Sequence, residues 1–327
     1  MKSRFFGILM LAILVMPWSA HGKDLTVVVS IKPLHALVSG MMEGVAETVL
    51  IVDGAASPHT FNLKPSHAAA LQTADLIVWI GPSLEAFMVK PIDTLGPKAT
   101  VLEISDVAGL TLYPYRKAGP LEAHDDGHAD EHGHGDDHKD DHADAHGHDH
   151  GHGDHEGIDP HLWLDPANAK IIVNAVAKTL ITLAPHHTDQ FKANAAKTLQ
   201  RIDGLTHDMK ATLAPVKDRP FIVFHDAYQY LEKRFDLHTA GSITVSPEQM
   251  PGAKRLREIQ EIVEHNNVRC IFAEPQFDPR LIEAIAANTD AKGGILDPLG
   301  SAIASGPDHY FEWMRAMAVT IRECLSD

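Results

Sequence analysis

Short apolar runs alternate with helical patterns along most of the chain, and this alternation limits the possible folds more than any other feature. The runs have the length and composition of buried strands and lie at residues 25–30, 49–52, 75–80, 221–224 and 270–273. Helix signals lie between them, such as Asp165 at an N-cap position followed by Pro166 at the first helical position. Strands and helices that alternate in this way predict an α/β fold, with parallel sheets flanked by helices.

A second pattern predicts a long helix between two such units. From residue 188 to residue 214, apolar side chains recur every three or four positions without an internal proline. At 1.5 Å per residue this helix would extend roughly 40 Å, which is far enough to join two lobes. We therefore predict an N-terminal α/β lobe at residues 23–187, a connecting helix at 188–214 and a C-terminal α/β lobe at 215–327.

A stretch of histidine and acidic residues interrupts the first lobe. Residues 124–155 contain eleven histidines and eleven aspartate or glutamate residues, separated only by glycine, alanine and one lysine. This composition cannot build a packed core, so it predicts a disordered, solvated loop. Because imidazole is a common ligand of transition metals, we predict that the loop is an auxiliary weak metal site, whereas a merely solubilising acidic tract would need no histidine. Its histidines are His124, His128, His132, His134, His138, His142, His146, His148, His150, His152 and His155.

The first 22 residues are typical of a secretory signal peptide. Lys2 and Arg4 precede an apolar run at residues 5–16 that is too short to span a bilayer, and a small-x-small cleavage site ends at Gly22. We therefore expect the mature chain to begin at Lys23 and to reside in the periplasm. No cysteine near this junction could carry a lipid, so we expect no direct membrane anchor.

Charge and cysteine content narrow the function further. The net charge of the whole chain is −16, and residues 124–155 contribute −10 of it, so the remainder of the chain is only mildly acidic. We expect no nucleic-acid partner, because proteins that bind nucleic acids need a basic surface to neutralise phosphates. Cys270 and Cys324 are the only cysteines, and in an exported chain they predict a disulfide. A metal site made by the two cysteines is the alternative that remains open.

Three histidines stand just beyond a predicted strand or in a proline-containing turn. They are His59, His161 and His225, and Asp297 occupies the same kind of position. Ligands of parallel α/β sheets bind beyond the carboxyl ends of the strands. Three imidazoles and a carboxylate form a tetrahedral donor set that suits Zn²⁺, although each histidine taken alone could be an ordinary turn or core residue.

Six motifs occur in an order that resembles a known family. They are GAASPH at residues 54–59, LKPS at 63–66, DPHLWLDP at 159–166, FHDAY at 224–228, FAEPQF at 272–277 and LDPLG at 296–300. Over residues 24–327 the chain resembles the ZnuA-like periplasmic zinc-binding proteins of ABC importers, the cluster A-I or family 9 metal solute-binding proteins. The resemblance implies two lobes joined by one long rigid helix. It also implies zinc between the lobes, held by His59 and His161 of the first and by His225 and Asp297 of the second.

The chain departs from the family pattern immediately before the first histidine. Some members carry a glutamate there that can serve as the fourth zinc ligand, whereas this chain has Pro58, which offers no side-chain donor. The fourth position then falls to Asp297, a water or a histidine of the loop. We predict Asp297, because an anionic ligand offsets part of the charge of a divalent ion. Three imidazoles favour Zn²⁺ over Mn²⁺, since manganese-importing relatives have a glutamate in place of His225, but this donor set does not discriminate against copper.

Three further acids could support this site. Asp165 and Asp226 could fix the orientation of a ligand ring through its distal N–H, although the N-cap role accounts for Asp165. Glu274 could line the cleft, or it could simply end a strand.

The resemblance implies high-affinity zinc capture in the periplasm by a monomer that is not an enzyme. Its partners would be Zn²⁺ and the membrane permease of a zinc ABC importer with its cytoplasmic ATPase. One alternative is a secreted zinc hydrolase built on three histidines and Glu274, but no HExxH helix or Ser/Cys nucleophile motif is present. The other is an adhesin, a role described for some relatives of the family.

Overall fold

A computed structural model describes residues 25–116, 157–244, 251–278, 280–286 and 289–326 of the chain. These residues form two α/β lobes, each with a four-stranded parallel sheet flanked by helices. This architecture confirms the predicted fold class. The predicted signal peptide at residues 1–22 and the predicted histidine-rich loop at residues 124–155 lie outside the described residues.

The sheet of the first lobe has the strand order β2-β1-β3-β4, with every neighbouring pair parallel. Its central strands β1 and β3 are buried along their whole length, as expected for apolar runs covered on both faces. The elements of this lobe are β1 (Val27–Ile31), α1 (Lys32–Met42), β2 (Thr48–Val52), α2 (Pro65–Thr73), β3 (Leu76–Trp79), α3 (Val89–Leu95), β4 (Thr100–Glu103) and α4 (Pro166–Leu183).

The sheet of the second lobe repeats this topology with the order β6-β5-β7-β8, again fully parallel. In both lobes the first strand in sequence lies beside the second and third, so the carboxyl ends of three strands border one crevice. The elements of this lobe are β5 (Phe221–His225), α6 (Gln229–Phe235), β6 (Thr239–Thr244), α7 (Ala253–His265), β7 (Cys270–Ala273), α8 (Arg280–Ala286), β8 (Lys292–Ile295) and α9 (His309–Leu325).

The predicted connecting helix is present as α5 (Thr188–Leu213), an uninterrupted helix of 26 residues. Its buried side chains recur at helical spacing, among them Phe191, Ile202 and Leu205, and the helix packs against α1, α4 and α9. Because α9 follows the second sheet yet packs on α5 and α1, the C-terminal helix also ties the two lobes together.

A disulfide between Cys270 and Cys324 links β7 to the end of α9. The predicted disulfide is thereby confirmed. Its sulfurs are consumed in the bond and are unavailable as thiolate ligands, so the two-cysteine metal site is ruled out. Among the described residues, no helix has both the length and the apolar character needed to cross a membrane.

Candidate metal centre

Three predicted ligands, His59, His161 and His225, come together between the lobes. His59 lies in the loop after β2, His161 immediately precedes a short helical turn, and His225 is the last residue of β5. The Nε2 atom of His161 lies 3.4 Å from that of His59 and 3.2 Å from that of His225. Within the described part of the chain, this is the one group of three or more His, Cys, Asp or Glu side chains whose ligand atoms all lie within 4.8 Å of one another.

The spacing of these nitrogens fits a zinc ion. Zinc–nitrogen bonds of about 2.0–2.1 Å in a tetrahedron place neighbouring ligand atoms about 3.3 Å apart. The two Nε2–Nε2 distances of 3.2 and 3.4 Å bracket this value. Three imidazoles with nothing between their Nε2 atoms would gain little from such proximity, whereas a cation in the middle would accept a lone pair from each.

Two buried carboxylates orient two of the three rings. The Nδ1 atom of His161 lies 2.7 Å from Oδ1 of Asp159, and the Nδ1 atom of His225 lies 2.6 Å from Oε1 of Glu274. Each Nδ1–H donates to its carboxylate, which leaves the Nε2 lone pair free to bind metal and raises its basicity. The acids that contact these two Nδ1 atoms are thus Asp159 and Glu274, and not Asp226 or Asp165, which the sequence analysis considered for this role.

The acids considered in the sequence analysis serve other purposes. Asp165 caps α4, where its Oδ1 accepts from the Ala167 backbone N–H, as its position before Pro166 predicts. It also pairs with Arg234 of the second lobe. Asp226 pairs with Arg116, and both of its carboxylate oxygens accept from that guanidinium. Glu274 does line the site, and sequence reasoning missed Asp159 altogether, although its place two residues before His161 was an available signal.

Burial shifts the protonation of this centre towards its metal-binding form. Desolvation, helped by the neighbouring histidines, lowers the pKa of both His59 and His161 well below the usual value of 6.5. Desolvation also raises the pKa of the Asp159 carboxyl to about 6 and raises the pKa of Glu274. Neutral imidazole is the form that binds a metal, so His59 and His161 need not first lose protons to bind a cation.

The cavity beside the rings is very small. Its volume is about 10 Å³, and its walls include Trp163, Phe277 and Leu299. A space of about this size holds one water-sized particle and no organic substrate. Two oxygens of residues that line it, Oε2 of Glu274 and Oε1 of Gln276, are buried and have no hydrogen-bond partner within the described ranges. Unpartnered oxygens beside three imidazoles favour a cation or the water bound to one.

The fourth predicted ligand, Asp297, does not join the three histidines in the structure. Its Oδ1 accepts from Nε2 of Gln276 and from the Leu299 backbone N–H, and its Oδ2 accepts from both the backbone and the hydroxyl of Ser301. A carboxylate has about four lone-pair sites, so these bonds fill its capacity. Asp297 would have to give up one of them to bind zinc.

A larger open cleft of about 620 Å³ lies elsewhere, beside the end of α1 and the start of β2. Its buried histidine, His35, has its Nε2 2.8 Å from the hydroxyl of Thr48. No group of three ligating side chains converges there among the residues that the structure places. The cleft therefore lacks the donor set that distinguishes the histidine centre.

Comparison with known proteins places this geometry in context. Residues 27–324 match the profile of the family described as ZnuA, zinc-uptake complex component A periplasmic. The high-affinity zinc uptake system protein ZnuA of Brucella suis biovar 1 is 50% identical over 316 residues, with 94% of each chain covered.

Two solved structures extend the similarity to the fold. A laminin-binding protein of Streptococcus agalactiae, described as a bifunctional protein with adhesin and metal transporting activity, has a TM-score of 0.71 at 30% identity, with 93% of this chain and 100% of that chain covered. A ZnuA deletion mutant with zinc bound has a TM-score of 0.70 at 25% identity, with 93% of this chain and 99% of that chain covered. The likeness thus extends over nearly the full length of all the chains compared.

Proposed function

Because the chain belongs to the ZnuA family of periplasmic zinc-uptake components, we propose that it captures Zn²⁺ and delivers it to the membrane permease of a zinc ABC importer, which works with a cytoplasmic ATPase. The observation that carries this proposal is the convergence of three Nε2 atoms, with that of His161 lying 3.4 Å from that of His59 and 3.2 Å from that of His225. That spacing suits a tetrahedral zinc ion, and two of the rings are already held by carboxylates.

Zinc is the cargo, and His59, His161 and His225 are the proposed ligands. Because the first two come from one lobe and His225 from the other, a bound ion holds the lobes together, and its release requires them to separate. For the fourth position we retain Asp297 as the proposed ligand, reached by exchanging one of its four hydrogen bonds for the metal. A water that donates to the free oxygens of Glu274 and Gln276 is the competing arrangement.

The size of the cavity favours a binding protein over a hydrolase. A catalytic zinc keeps an open coordination position together with room for substrate and water. Beside these histidines the space is about 10 Å³, and Glu274 is engaged with His225 rather than facing an open cleft. We therefore propose no enzymatic activity. The adhesin alternative rests only on likeness to the laminin-binding protein, and we do not propose it.

The proposal extends to location and to the histidine-rich stretch. Residues 1–22 would direct export, and the mature chain would act as an unanchored monomer in the periplasm. Residues 124–155 would bind further ions weakly beside the main site. In keeping with this division, the ZnuA deletion mutant described above has zinc bound although part of its chain has been removed.

Zinc competition against a chromophoric chelator tests the assignment of the ligands. Mature protein that starts at Lys23 should bind one ion tightly, and His59→Ala, His161→Ala and His225→Ala should each weaken that event by orders of magnitude. His35→Ala is the matched control, since His35 is also buried but lies in the other cleft. Unchanged tight binding by a triple alanine variant that also lacks residues 124–155 would contradict the assignment.

Delivery needs a separate test in cells. A bacterium that lacks its own periplasmic zinc-binding protein but keeps the permease and ATPase should regain growth in zinc-depleted medium when it produces this chain. The His161→Ala variant, produced at the same level, should not restore growth. If the wild type and the His161→Ala variant restored growth equally well, delivery of zinc would not depend on the histidine centre.

A further inference from the structure

Arg116 joins the first lobe to the turn that carries a proposed zinc ligand of the second lobe. Its guanidinium donates through Nε and Nη2 to the two carboxylate oxygens of Asp226, with an Nε–Oδ2 distance of 2.9 Å. It also donates through Nη1 and Nη2 to Glu232 of α6, at 2.6 and 3.1 Å. Asp226 directly follows His225, so Arg116 holds the carboxylate of the residue next to the ligand.

The backbone around Arg116 is fixed to the other ligand turn. Tyr115 N–H donates to the Gly157 carbonyl at 2.7 Å, and Asp159 N–H donates to the Tyr113 carbonyl at 2.8 Å, so the two segments run side by side. Asp159 is the acid that orients His161. Arg116 therefore lies between the support of His161 in the first lobe and the turn that follows His225 in the second.

Arg116, Asp226 and Glu232 form a mostly buried cluster, in which another cation could not easily take the place of the arginine. The side chains of Asp226 and Glu232 are 6% and 8% exposed, and that of Arg116 is 18% exposed. One guanidinium thus provides the positive charge beside two carboxylates that water hardly reaches. Its planar fork satisfies both in a bidentate manner, which a lysine ammonium cannot do. Separating the lobes would expose these charges to water or leave them without a partner, because Arg116 belongs to the first lobe and the two carboxylates belong to the second.

A second interlobe ion pair provides an internal comparison. Arg234 of α6 donates to both oxygens of Asp165 at 2.5 and 2.7 Å, and Asp165 is itself buried. This pair also crosses from one lobe to the other. It differs in that Asp165 caps α4 and neither partner is adjacent in sequence to one of the three histidines.

We propose that Arg116 is a positioning residue that fastens the turn of His225 and Asp226 to the first lobe and so slows the release of zinc. The proposal rests on the function proposed above. Moving His225 away from His59 and His161 requires the bonds between Arg116 and the second lobe to break. Their loss should lower the population of the closed state and raise the rate at which the ion escapes.

Stopped-flow transfer of zinc to an excess of chelator tests this role. The full mature chain would be loaded with less than one equivalent of zinc, so that the tight site is the one occupied. Arg116→Met should release zinc at least about tenfold faster than the wild type, as expected when one partner of a buried charge pair is removed. Arg116→Lys should fall between the two, because a lysine keeps the charge but not the fork. The control Arg234→Met also breaks an ion pair between the lobes, but Arg234 is 36% exposed and its partner Asp165 is not adjacent to a histidine, so the rate should change by less than about threefold.

Two measurements keep the outcomes distinct. Thermal unfolding of each zinc-free variant distinguishes a merely structural role from the proposed one. A merely structural role would lower the melting temperature and leave the rate of zinc release unchanged. If Arg116→Met does not fold, the triple variant Arg116→Met/Asp226→Asn/Glu232→Gln removes the buried charges together and should still release zinc faster. Wild-type release rates in the folded Arg116 variants would overturn the proposal. Failure of the wild type to bind zinc would instead overturn the proposed function.

Discussion

The Nδ1 atom of His161 lies 2.7 Å from Oδ1 of Asp159, and both residues are buried. The same carboxylate oxygen accepts from the His161 backbone N–H at 3.0 Å, so the acid fixes both the ring and the turn that bears it. The other oxygen accepts from Gln229 of the second lobe at 3.2 Å. One aspartate thus connects ligand orientation to the contact between the lobes.

Asp159→Asn should therefore weaken zinc binding while preserving the fold. Asparagine keeps the shape and one acceptor but loses the charge that supports the imidazole as a donor, and loss of such a partner costs about 10- to 100-fold in metal affinity. Competition with a chelator measures the change. Asp165→Asn serves as the control, because Asp165 is buried to a similar extent but contacts no ligand ring. Equal affinities for wild type and Asp159→Asn would show that the contact does not support the metal.

Asp297→Asn distinguishes the two candidates for the fourth position. If Asp297 is a ligand, the variant should bind zinc at least about tenfold more weakly, most clearly when residues 124–155 have been deleted. Ser301→Ala is the matched variant, since it removes one hydrogen bond to the carboxylate without touching its charge. A ligand aspartate freed in this way should bind zinc no worse than before. Unchanged affinity in Asp297→Asn would leave water as the fourth ligand.

The central strands could be read from the sequence, whereas most edge strands could not. Apolar runs reveal β1, β3, β5 and β7, which are buried and paired on both sides. The missed strands β4, β6 and β8 all lie at sheet edges. The sequences TAGSIT of β6 and KGGI of β8 are polar or glycine-containing, and such residues have low strand propensity. These segments become strands because they pair with a neighbouring strand, and a local sequence pattern carries no information about that pairing.

The candidate site shows the same division between local and tertiary information. His59, His161 and His225 could be chosen because turns that follow parallel strands converge on one crevice. The acid that accepts from each Nδ1 is set by the directions of side chains that folding brings together. For this reason the sequence did not identify Asp159 and Glu274, rather than Asp226, as the acids that contact the rings. The bonds that Asp297 makes with Gln276 and Ser301 likewise depend on how the loops pack. Sequence position alone cannot distinguish a free carboxylate from a saturated one.

Glu85 should make the stability of the first lobe depend on pH. It is fully buried, accepts from the backbone N–H of Gly81 at 2.9 Å, and desolvation raises its pKa from 4.5 to about 7. Since the folded-state pKa is the higher one, its stabilising contribution is complete below the unfolded pKa of 4.5 and is lost as the pH rises through about 7.

Glu85→Gln keeps an acceptor for Gly81 but cannot ionise. Relative to the wild type, the free energy of unfolding of this variant should rise by roughly 2 to 3 kcal/mol between about pH 5 and about pH 8. Chemical denaturation at both pH values gives the comparison. A constant difference between the two proteins would mean that Glu85 does not titrate in this range.

The last prediction separates the histidine-rich stretch from the cleft. If residues 124–155 form the solvated loop that their composition predicts, each ion that they bind must order backbone at a cost of roughly 1 to 2 kcal/mol per fixed residue. The cleft histidines are already held by the folded lobes, so binding there needs less ordering. Calorimetry on the mature protein should therefore show one tight event followed by weaker ones, and deletion of residues 124–155 should remove the weak events alone.

Acidification should empty the two kinds of site in a fixed order. Histidines of the stretch should protonate near their ordinary pKa of about 6.5, and protonation displaces metal. In the cleft the pKa values of His59 and His161 lie well below 6.5, so protons compete there only at lower pH. Zinc titrations at descending pH should lose the weak events first. If deletion of residues 124–155 abolished the tight event instead, that stretch would be the principal site, and the cleft assignment would fail.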